Sequence, residues 1–385
     1  MKKRLVEFIR DYYNTNDFVP LHEPRFNNLE KDLVSETIES TFVSSVGEFV
    51  TRFEKDISQF VGVPKSVAVV NGTAALYVSL YQCGVRRNDL VITQALTFVA
   101  TANAVEQLGA INVFVDISPK TLGMCPQALE NYLLENASLN ESGQCIHKKT
   151  GQQFKAVVPM HTFGFPVEID KIVEICHRWN LSLVEDAAES LGSYYKGKHT
   201  GAFGRLGAFS FNGNKIITTG GGGMIVCNST HDAEHIKHLT TTAKVPHPYK
   251  FFHDEPAFNY RMPNLNAALG CAQLNKLNKF IEQKRELAQN YRELLEASDL
   301  KFFIEPSDSK ANYWLNTIIC EDMNHRDEVL DYLNKNKIMS RPVWELMTTL
   351  PMYKHCEADE LENSRWYADR IINIPSSVRK LDYER

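Results

Sequence analysis

The feature that most constrains the fold of this chain is an alternation of short apolar strands with helix-length segments between residues 66 and 227. Seven strands are predicted, at residues 66–70, 90–93, 111–115, 156–159, 181–184, 208–211 and 224–227. Helices are predicted between them, at residues 72–83, 97–108, 126–136 and 169–179. Strands that alternate with helices form a mostly parallel sheet with helices on both faces. We therefore predict an α/β fold whose large domain has a mostly parallel, seven-stranded sheet.

The pattern of the sequence changes after about residue 245. Residues 264–297 read as one long helix rich in Ala, Leu, Gln, Glu and Lys, and a strand (314–319), a helix (325–336) and a strand ending at 341–344 follow it. We predict an N-terminal segment with the large domain over residues 1–245, and the long helix with a smaller α/β domain over residues 246–385. The polar residues 137–154 are predicted to form a loop.

Composition argues against several functional classes. The net charge is −5 and there is no basic stripe, so we expect no nucleic-acid partner. No apolar run approaches the roughly 20 residues of a membrane span, so we expect no membrane partner. The basic first residues lack the apolar region of a signal peptide, and the eight cysteines include no C-x-x-C pair. We therefore expect a cytoplasmic protein with free thiols and no metal site.

A turn after the first predicted strand has the features of an anion site. It reads Asn71-Gly72-Thr73-Ala74 and leads into a helix. Gly72 permits a tight backbone, and the N–H groups at a helix start can bind a phosphate. Similar turns also arise by chance in α/β proteins, so this turn alone only indicates a phosphate site.

Three further candidates follow strand ends, where α/β sheets usually bind their ligands. Asp186 is costly to bury unpaired, so it suits a cation such as a protonated pyridine nitrogen; a solvated aspartate is the ordinary alternative. Glu189 either faces the same ligand or caps a turn. Phe98 either stacks on a flat ring or packs in the core. None of these three residues is diagnostic by itself.

Lys215 lies among small, polar and apolar residues, five positions after Ser210 and shortly before the four glycines at 220–223. A lysine amine held neutral can react with a carbonyl, as in a Schiff base with pyridoxal phosphate (PLP). A surface lysine beside a glycine-rich hairpin is the alternative for this stretch alone. No single one of these candidates is specific for a PLP site. Only their order along the chain is specific: a phosphate turn, an aromatic residue, an aspartate, a serine and a lysine.

This order resembles the DegT/DnrJ/EryC1/StrS family of PLP-dependent sugar aminotransferases. The resemblance runs from about residue 21 to the end of the chain. Its blocks are Asn-Gly-Thr-Ala-Ala-Leu at 71–76, Thr-Phe-Val-Ala-Thr-Ala at 97–102, Glu-Asp-Ala-Ala-Glu at 185–189, Ser-Phe-Asn-Gly-Asn-Lys at 210–215, Asn-Tyr-Arg-Met at 259–262 and Asn-Ala-Ala-Leu-Gly at 266–270. It implies the fold-type I aminotransferase architecture, with a large cofactor-binding domain and a smaller C-terminal α/β domain, and PLP as the cofactor.

The resemblance implies roles around the cofactor ring. Lys215 would form the Schiff base and later move protons, and Asp186 would pair with the pyridine nitrogen. Phe98 would stack on the ring, and Glu189 would lie near its hydroxyl group.

It also implies how the cofactor phosphate is held. Thr73, Ala74 and Ser210 would bind it beside Gly72. Asn259 would reach the phosphate in the neighbouring subunit, which implies a homodimer with shared active sites.

A narrower resemblance is to the branch called LegC. It is carried by the predicted N-terminal helix before residues 21–26, by Asn-Gly-Asn before the lysine and by residues 243–247. It implies a UDP- or GDP-linked 4-keto-6-deoxy sugar with an acetamido group as substrate, L-glutamate as amino donor, and a 4-amino-4,6-dideoxy sugar nucleotide for legionaminic-type nonulosonic acids or surface glycans. The family often has Gly-Asn-Glu where this chain has Asn28-Leu29-Glu30, so the N-terminal substrate contacts stay open. Residues 244–247, 313–314 and 341–344 offer aromatics and cations that suit a nucleotide diphosphate, or they pack between domains.

Three rival functions differ in the residues they require. A PLP-dependent sugar dehydratase of the same fold has a histidine in place of the Schiff-base lysine, so Lys215 favours the transferase. A homologue without catalysis would lack Lys215 or Asp186. A nucleotide-sugar dehydrogenase needs G-x-G-x-x-G after the first strand, and Gly72-Thr73-Ala74 does not fit that pattern.

Overall fold

The computed structural model describes residues 1–380. Its helices are α1 (Lys2–Tyr13), α2 (Asn28–Glu39), α3 (Glu48–Val61), α4 (Gly72–Gln82), α5 (Val99–Gln107), α6 (Pro126–Asn136), α7 (Ile169–Arg178), α8 (Thr230–Thr240), α9 (Asn264–Leu274), α10 (Leu277–Leu295), α11 (Met323–Lys335) and α12 (Glu362–Ala368). Its strands are β1 (Lys65–Val69), β2 (Leu90–Gln94), β3 (Ile111–Val115), β4 (Ala137–Leu139), β5 (Cys145–His147), β6 (Phe154–Val158), β7 (Ser182–Asp186), β8 (Tyr194–Tyr195), β9 (Lys198–His199), β10 (Leu206–Ser210), β11 (Gly223–Cys227), β12 (Lys301–Phe302), β13 (Ser309–Lys310), β14 (Asn316–Ile319), β15 (Arg341–Pro342) and β16 (Ile371–Ile374).

The central sheet has seven strands in the order β1-β11-β10-β7-β6-β2-β3. Strand β11 pairs antiparallel with both β1 and β10, and the remaining pairs along the sheet are parallel. Helices pack apolar faces on the sheet, and the strands between them are almost fully buried. The predicted α/β fold with a mostly parallel, seven-stranded sheet is confirmed.

Helix α3 packs against Phe211, the residue that follows β10 at the start of the loop carrying the candidate lysine. Phe49, Phe53 and Ile57 recur at helical spacing and are buried, as an amphipathic period requires. The ring of Phe53 lies 5.1 Å from that of Phe211, the residue after β10. This contact fixes the start of the Lys215 loop against the core.

A second, antiparallel sheet lies in the C-terminal part, in the order β12-β14-β16-β15. Helices α10 and α11 cover it, and they share an apolar cluster with α1, which contributes Leu5, Val6 and Ile9. The first residues of the chain therefore pack with C-terminal elements. The division of the chain into two domains at residue 245 stays a prediction. Helix α1, which precedes that boundary, contacts elements of the predicted smaller domain.

Two predicted segments differ from the structure. The long helix at 264–297 is two helices, α9 and α10, because the Lys276 N–H donates to the Gln273 carbonyl three residues back and Asn275 Nδ2 donates to the Cys271 carbonyl. Such side-chain bonds compete with the helical ladder. The predicted loop at 137–154 contains the hairpin of β4 and β5. Its turn is closed by Asn140 Oδ1, which accepts from two backbone N–H groups.

The helices of residues 1–380 include none with the length and apolar character that crossing a bilayer requires.

Candidate active site

A cavity of about 220 Å³ opens at the carboxyl ends of the parallel strands, beside Trp314 and Trp344 of the C-terminal part. Most of the predicted site residues line it: Gly72, Thr73, Phe98, Asp186, Glu189, Ser210 and Lys215. Ala74 and Asn259 are not part of its wall. Residues from four separate strand ends thus converge on one space, which is the expected ligand position in an open α/β sheet.

Lys215 lies in the loop after β10, with its side chain 11% exposed. Its Nζ lies 3.1 Å from Glu189 Oε1 and 4.1 Å from the centre of the Trp314 ring. The indole N–H of Trp314 donates to the Asn214 carbonyl over 2.8 Å, which fixes the ring against the lysine loop. The lysine nitrogen therefore contacts both a carboxylate and an aromatic face. It is not an ordinary surface lysine.

Glu189 is almost fully buried. Its Oε2 accepts the Phe163 N–H over 2.8 Å, while Oε1 faces Lys215. Burial raises the pKa of Glu189 to about 6, although the charge of Lys215 acts in the opposite direction. Phe163 has a left-handed backbone with φ of 56°, a conformation that costs roughly 1–3 kcal/mol and is often found at functional sites. The Phe163–Glu189 bond orients the carboxylate toward the lysine.

Asp186 ends β7 and is buried. Thr101 Oγ1 donates to its Oδ2 over 2.7 Å, and the Ala188 N–H donates to its Oδ1 over 3.2 Å. Burial raises the pKa of Asp186, and these two hydrogen bonds together with Lys215 oppose that rise. A carboxylate has about four acceptor positions, so its capacity for a further donor remains. The solvated alternative for Asp186 is excluded.

The turn before α4 brings Gly72 close to Ser210. A Cβ on Gly72 would lie 2.8 Å from the Ser210 Cβ, so no other residue fits this contact unchanged. Asn71 Oδ1 accepts the Ala74 N–H over 2.7 Å as a helix cap. Because the Ala74 N–H is engaged, its predicted phosphate contact stays a prediction. The N–H groups of Gly72 and Thr73, at the start of the helix, and the Ser210 hydroxyl form a polar corner of the cavity.

Phe98 is 46% exposed, so it is not a core residue. Its ring lies 6.0 Å from that of Trp344, which in turn lies 5.1 Å from Phe163. Among the residues considered for a nucleotide, Trp314 and Trp344 line the cavity, whereas Tyr313 packs on Phe165. Sequence reasoning missed Thr101 and Phe163, which act only through contacts between distant segments.

Asn259 lies outside the cavity, near the base of an extended arm at residues 241–261. Asn259 Oδ1 accepts from the Arg261 guanidinium over 3.2 Å, and Thr241 pairs with Asn259 across the arm. Near the tip, Tyr249 and Phe251 are about four-fifths exposed. The role of Asn259 across a subunit interface stays a prediction.

The chain shares both sequence and fold with known aminotransferases. The model of the DegT/DnrJ/EryC1/StrS aminotransferase family matches residues 24–383. The chain is 36% identical over 361 residues to the GDP-perosamine synthase of Vibrio cholerae, covering 93% of this chain and 94% of that one. It is 36% identical over 334 residues to EpsN of Bacillus subtilis (strain 168), provisionally named a pyridoxal phosphate-dependent aminotransferase, covering 86% and 83%. A solved DegT/DnrJ/EryC1/StrS aminotransferase from Brucella abortus has a TM-score of 0.83 at 27% identity, over 91% and 90% of the two chains.

Proposed function

The chain belongs to the DegT/DnrJ/EryC1/StrS aminotransferase family, and from this premise we propose that it transfers the amino group of L-glutamate to the keto group of a nucleotide-linked 4-keto-6-deoxy sugar. That it is a PLP-dependent sugar aminotransferase follows from the family and its relatives. The donor, the nucleotide and the sugar substituents are the proposed part. The observation that best supports this function is that Lys215, Asp186 and the Gly72 turn all line one cavity.

The residues present fit PLP. Asp186 is buried with remaining acceptor capacity, which suits a protonated ring nitrogen. Gly72, Thr73 and Ser210 form a polar corner that suits a phosphate. Lys215 is the amine within the cavity that suits the Schiff base. When bound, PLP supplies the electron sink that allows a proton to leave the carbon carrying the amine.

The protein residues supply binding, orientation and proton movement. Lys215 Nζ can take up and release a proton at the carbon that gains or loses the amine, because it is held in the cavity beside Glu189. Glu189 balances the lysine charge where both side chains are largely removed from water, and charge pairs act more strongly there. Asp186 would hold the positive ring nitrogen of bound PLP, and Thr101 fixes the orientation of its carboxylate. The ring of Trp314 also contacts the Lys215 nitrogen, at 4.1 Å from the ring centre.

Two forms of the sugar substrate are supported by different observations. The Vibrio cholerae relative is named for a GDP-linked product, which favours GDP. The LegC-like blocks favour a UDP-linked sugar with an acetamido group, on the route to legionaminic-type nonulosonic acids. Trp314 and Trp344 at the cavity wall offer stacking surfaces to either substrate.

We also propose a homodimer and a cytoplasmic location. The exposed aromatic residues of the arm at 241–261 suit burial against a second copy of the chain. The eight cysteines are unpaired, as a reducing compartment favours.

The test is to supply the enzyme with glutamate and, separately, UDP- and GDP-linked 4-keto-6-deoxy sugars, each with and without the acetamido group. The aminated sugar is followed by mass spectrometry, with Lys215→Ala as the control for uncatalysed reaction. We expect amination of at least one of these four sugars. Turnover only of simple keto acids, or only of 3-keto sugars, contradicts the proposal and leaves the PLP chemistry intact.

A further inference from the structure

A buried asparagine outside the cavity wall connects the two residues that contact Lys215. Asn312 lies between β13 and β14 and is fully buried. Its Nδ2 donates to the main-chain carbonyls of Glu189, over 2.9 Å, and Leu191, over 3.0 Å. Its Oδ1 accepts the Trp314 N–H over 2.8 Å. Because two carbonyls accept and one N–H donates, the orientation of the amide is fixed and both of its hydrogens are used.

The surroundings of the lysine nitrogen depend on this amide. Glu189 Oε1 and the ring of Trp314 both contact Lys215 Nζ. The carboxylate and the indole come from distant parts of the chain, since Glu189 and Asn312 are 123 positions apart. The Asn312 side chain joins the two main-chain segments that carry them. A shift of either segment would therefore change what the lysine nitrogen contacts.

Asn312 also supports Glu189 through the turn that binds its carboxylate. The Asn312 N–H donates to Ser193 Oγ over 2.9 Å, and the Ser193 hydroxyl donates to the Gly164 carbonyl over 2.7 Å. Gly164 has a φ of 96°, and a Cβ there would overlap Asn312 Oδ1, so the turn packs directly on the amide. The preceding residue, Phe163, donates its N–H to Glu189 Oε2. Both the main chain and the side chain of Glu189 are thus held from Asn312.

The backbone beside Asn312 holds Trp314 in an unusual geometry. Tyr313, between them, has a left-handed conformation with φ of 47°, which is rare for a bulky residue. The hydrogen bond from the Trp314 N–H to Asn312 Oδ1 spans Tyr313 and offsets part of that cost. Such conformations persist where their surroundings hold them, and they cluster at functional sites.

We propose that Asn312 is a positioning residue whose amide sets the places of Glu189 and Trp314 around Lys215. Without the amide, the segment that carries Glu189 would move away from the lysine nitrogen, because two main-chain carbonyls would lose their donors. The inference rests on the proposed role of Lys215 in transamination, and it is independent of the amino donor and the sugar.

The test uses Asn312→Leu in the full-length enzyme, because leucine has a similar shape, adds no charge and cannot form the three side-chain bonds. Asn373→Leu is the matched control, since Asn373 is also buried but its side chain bonds to Thr317 within the C-terminal sheet. The visible absorbance of each PLP-bound protein is recorded against pH. A cofactor-free portion is labelled with acetic anhydride, and peptide mass spectrometry compares Lys215 with the exposed Lys120.

We expect the labelling of Lys215 relative to Lys120 to rise about tenfold in Asn312→Leu, because the amine loses the contacts that now shield it. The pH at which the visible band changes should fall by about one unit, because the lysine nitrogen loses a nearby negative charge. Both measurements should match the wild type in Asn373→Leu. Thermal unfolding shows whether each variant is folded.

Ser193→Ala decides the question if Asn312→Leu does not fold. It removes only the acceptor of the Asn312 N–H and the bond to Gly164, so labelling of Lys215 should rise about threefold. The proposal is overturned if folded Asn312→Leu labels and titrates as the wild type does, if Asn373→Leu changes equally, or if Ser193→Ala leaves the labelling unchanged. Borohydride fixation of PLP on another lysine would instead reject the proposed role of Lys215, while the labelling ratio would still report its contacts.

Discussion

Lys215 Nζ and Glu189 Oε1 form an ion pair, 3.1 Å apart, in which the carboxylate is 1% exposed and the lysine side chain 11%. Removing both groups from water costs free energy that their attraction only partly returns. The pKa of Glu189 is consequently raised to about 6 even beside a cation. A charge pair retained at such a cost in the cavity wall is better explained by chemistry than by stability.

The first prediction concerns the pH dependence of stability. The pKa of Glu189 is about 6 in the folded state and about 4.5 in the unfolded state. Its favourable contribution to the free energy of unfolding is therefore present below pH 4.5 and is lost as the pH rises through 6. The loss amounts to roughly 2 kcal/mol. In Glu189→Gln, the unfolding free energy relative to wild type should therefore rise by roughly 2 kcal/mol between pH 4.5 and pH 7.5. Urea unfolding of the cofactor-free proteins measures it, and a pH-independent difference would contradict the pKa assignment.

The second prediction identifies the lysine that binds the cofactor. The enzyme should have a visible absorbance band that borohydride removes, leaving the cofactor fixed on the peptide that contains Lys215. Lys284 provides an internal control, because it is a second buried lysine that donates to the carbonyls of Trp314 and Ser376. Lys215→Ala should lose turnover and labelling. Undiminished turnover of Lys215→Ala, or label on Lys284, would refute the assignment.

The third prediction concerns the charge of Asp186. Asp186→Asn keeps an oxygen that can accept from Thr101 but cannot hold a positive ring nitrogen. We expect the variant to fold and to lose at least 10³-fold in kcat, about 4 kcal/mol of transition-state stabilisation. Thr101→Val, which removes one hydrogen bond to the carboxylate but keeps the carboxylate itself, should lose less. Activity of Asp186→Asn within tenfold of wild type would make the carboxylate structural only.

The fourth prediction tests the phosphate turn. Gly72→Ala forces a Cβ to within 2.8 Å of Ser210, so the turn and the serine must separate. We expect the dissociation constant for PLP to rise tenfold or more, about 1.4 kcal/mol, in a fluorescence titration of the cofactor-free enzyme. Gly213→Ala is the control, because a Cβ there meets no atom within 4 Å. Equal PLP affinity of the two variants would show that the turn does not hold the phosphate.

The fifth prediction tests the shared active site. Lys215→Ala and Asn259→Ala should each be nearly inactive as purified. In a hybrid dimer one of the two sites has both native residues, so random mixing should restore about one quarter of the wild-type activity. Mass spectrometry of the intact dimers confirms that subunits have exchanged. Exchange without any return of activity would exclude a shared site.

The strands of the sheet could be predicted because each is a short apolar run between turn signals. The Lys215–Glu189 pair could not be predicted, because the two residues are 26 positions apart on separate loops and only the sheet brings them together. The residues around Thr101 in the sequence do not indicate its role. That role depends on the fold, which brings α5 next to the end of β7 so that Thr101 reaches Asp186. The break between α9 and α10 was missed because the helical composition continues through Asn275 and Lys276.

Strand β1 pairs with β11, about 160 residues later in the chain. At a translation rate of about 5–20 residues per second, a ribosome takes roughly 10–30 s to make the intervening segment. β1 is thus among the first strands of the sheet to be synthesised and among the last to be paired with its neighbour. Gly223 of β11 contacts the Asn71 carbonyl so closely that a Cβ there would lie 2.3 Å from it, so the phosphate turn takes its final form only after β11 arrives. We therefore expect nascent chains shorter than about 230 residues to bind no cofactor.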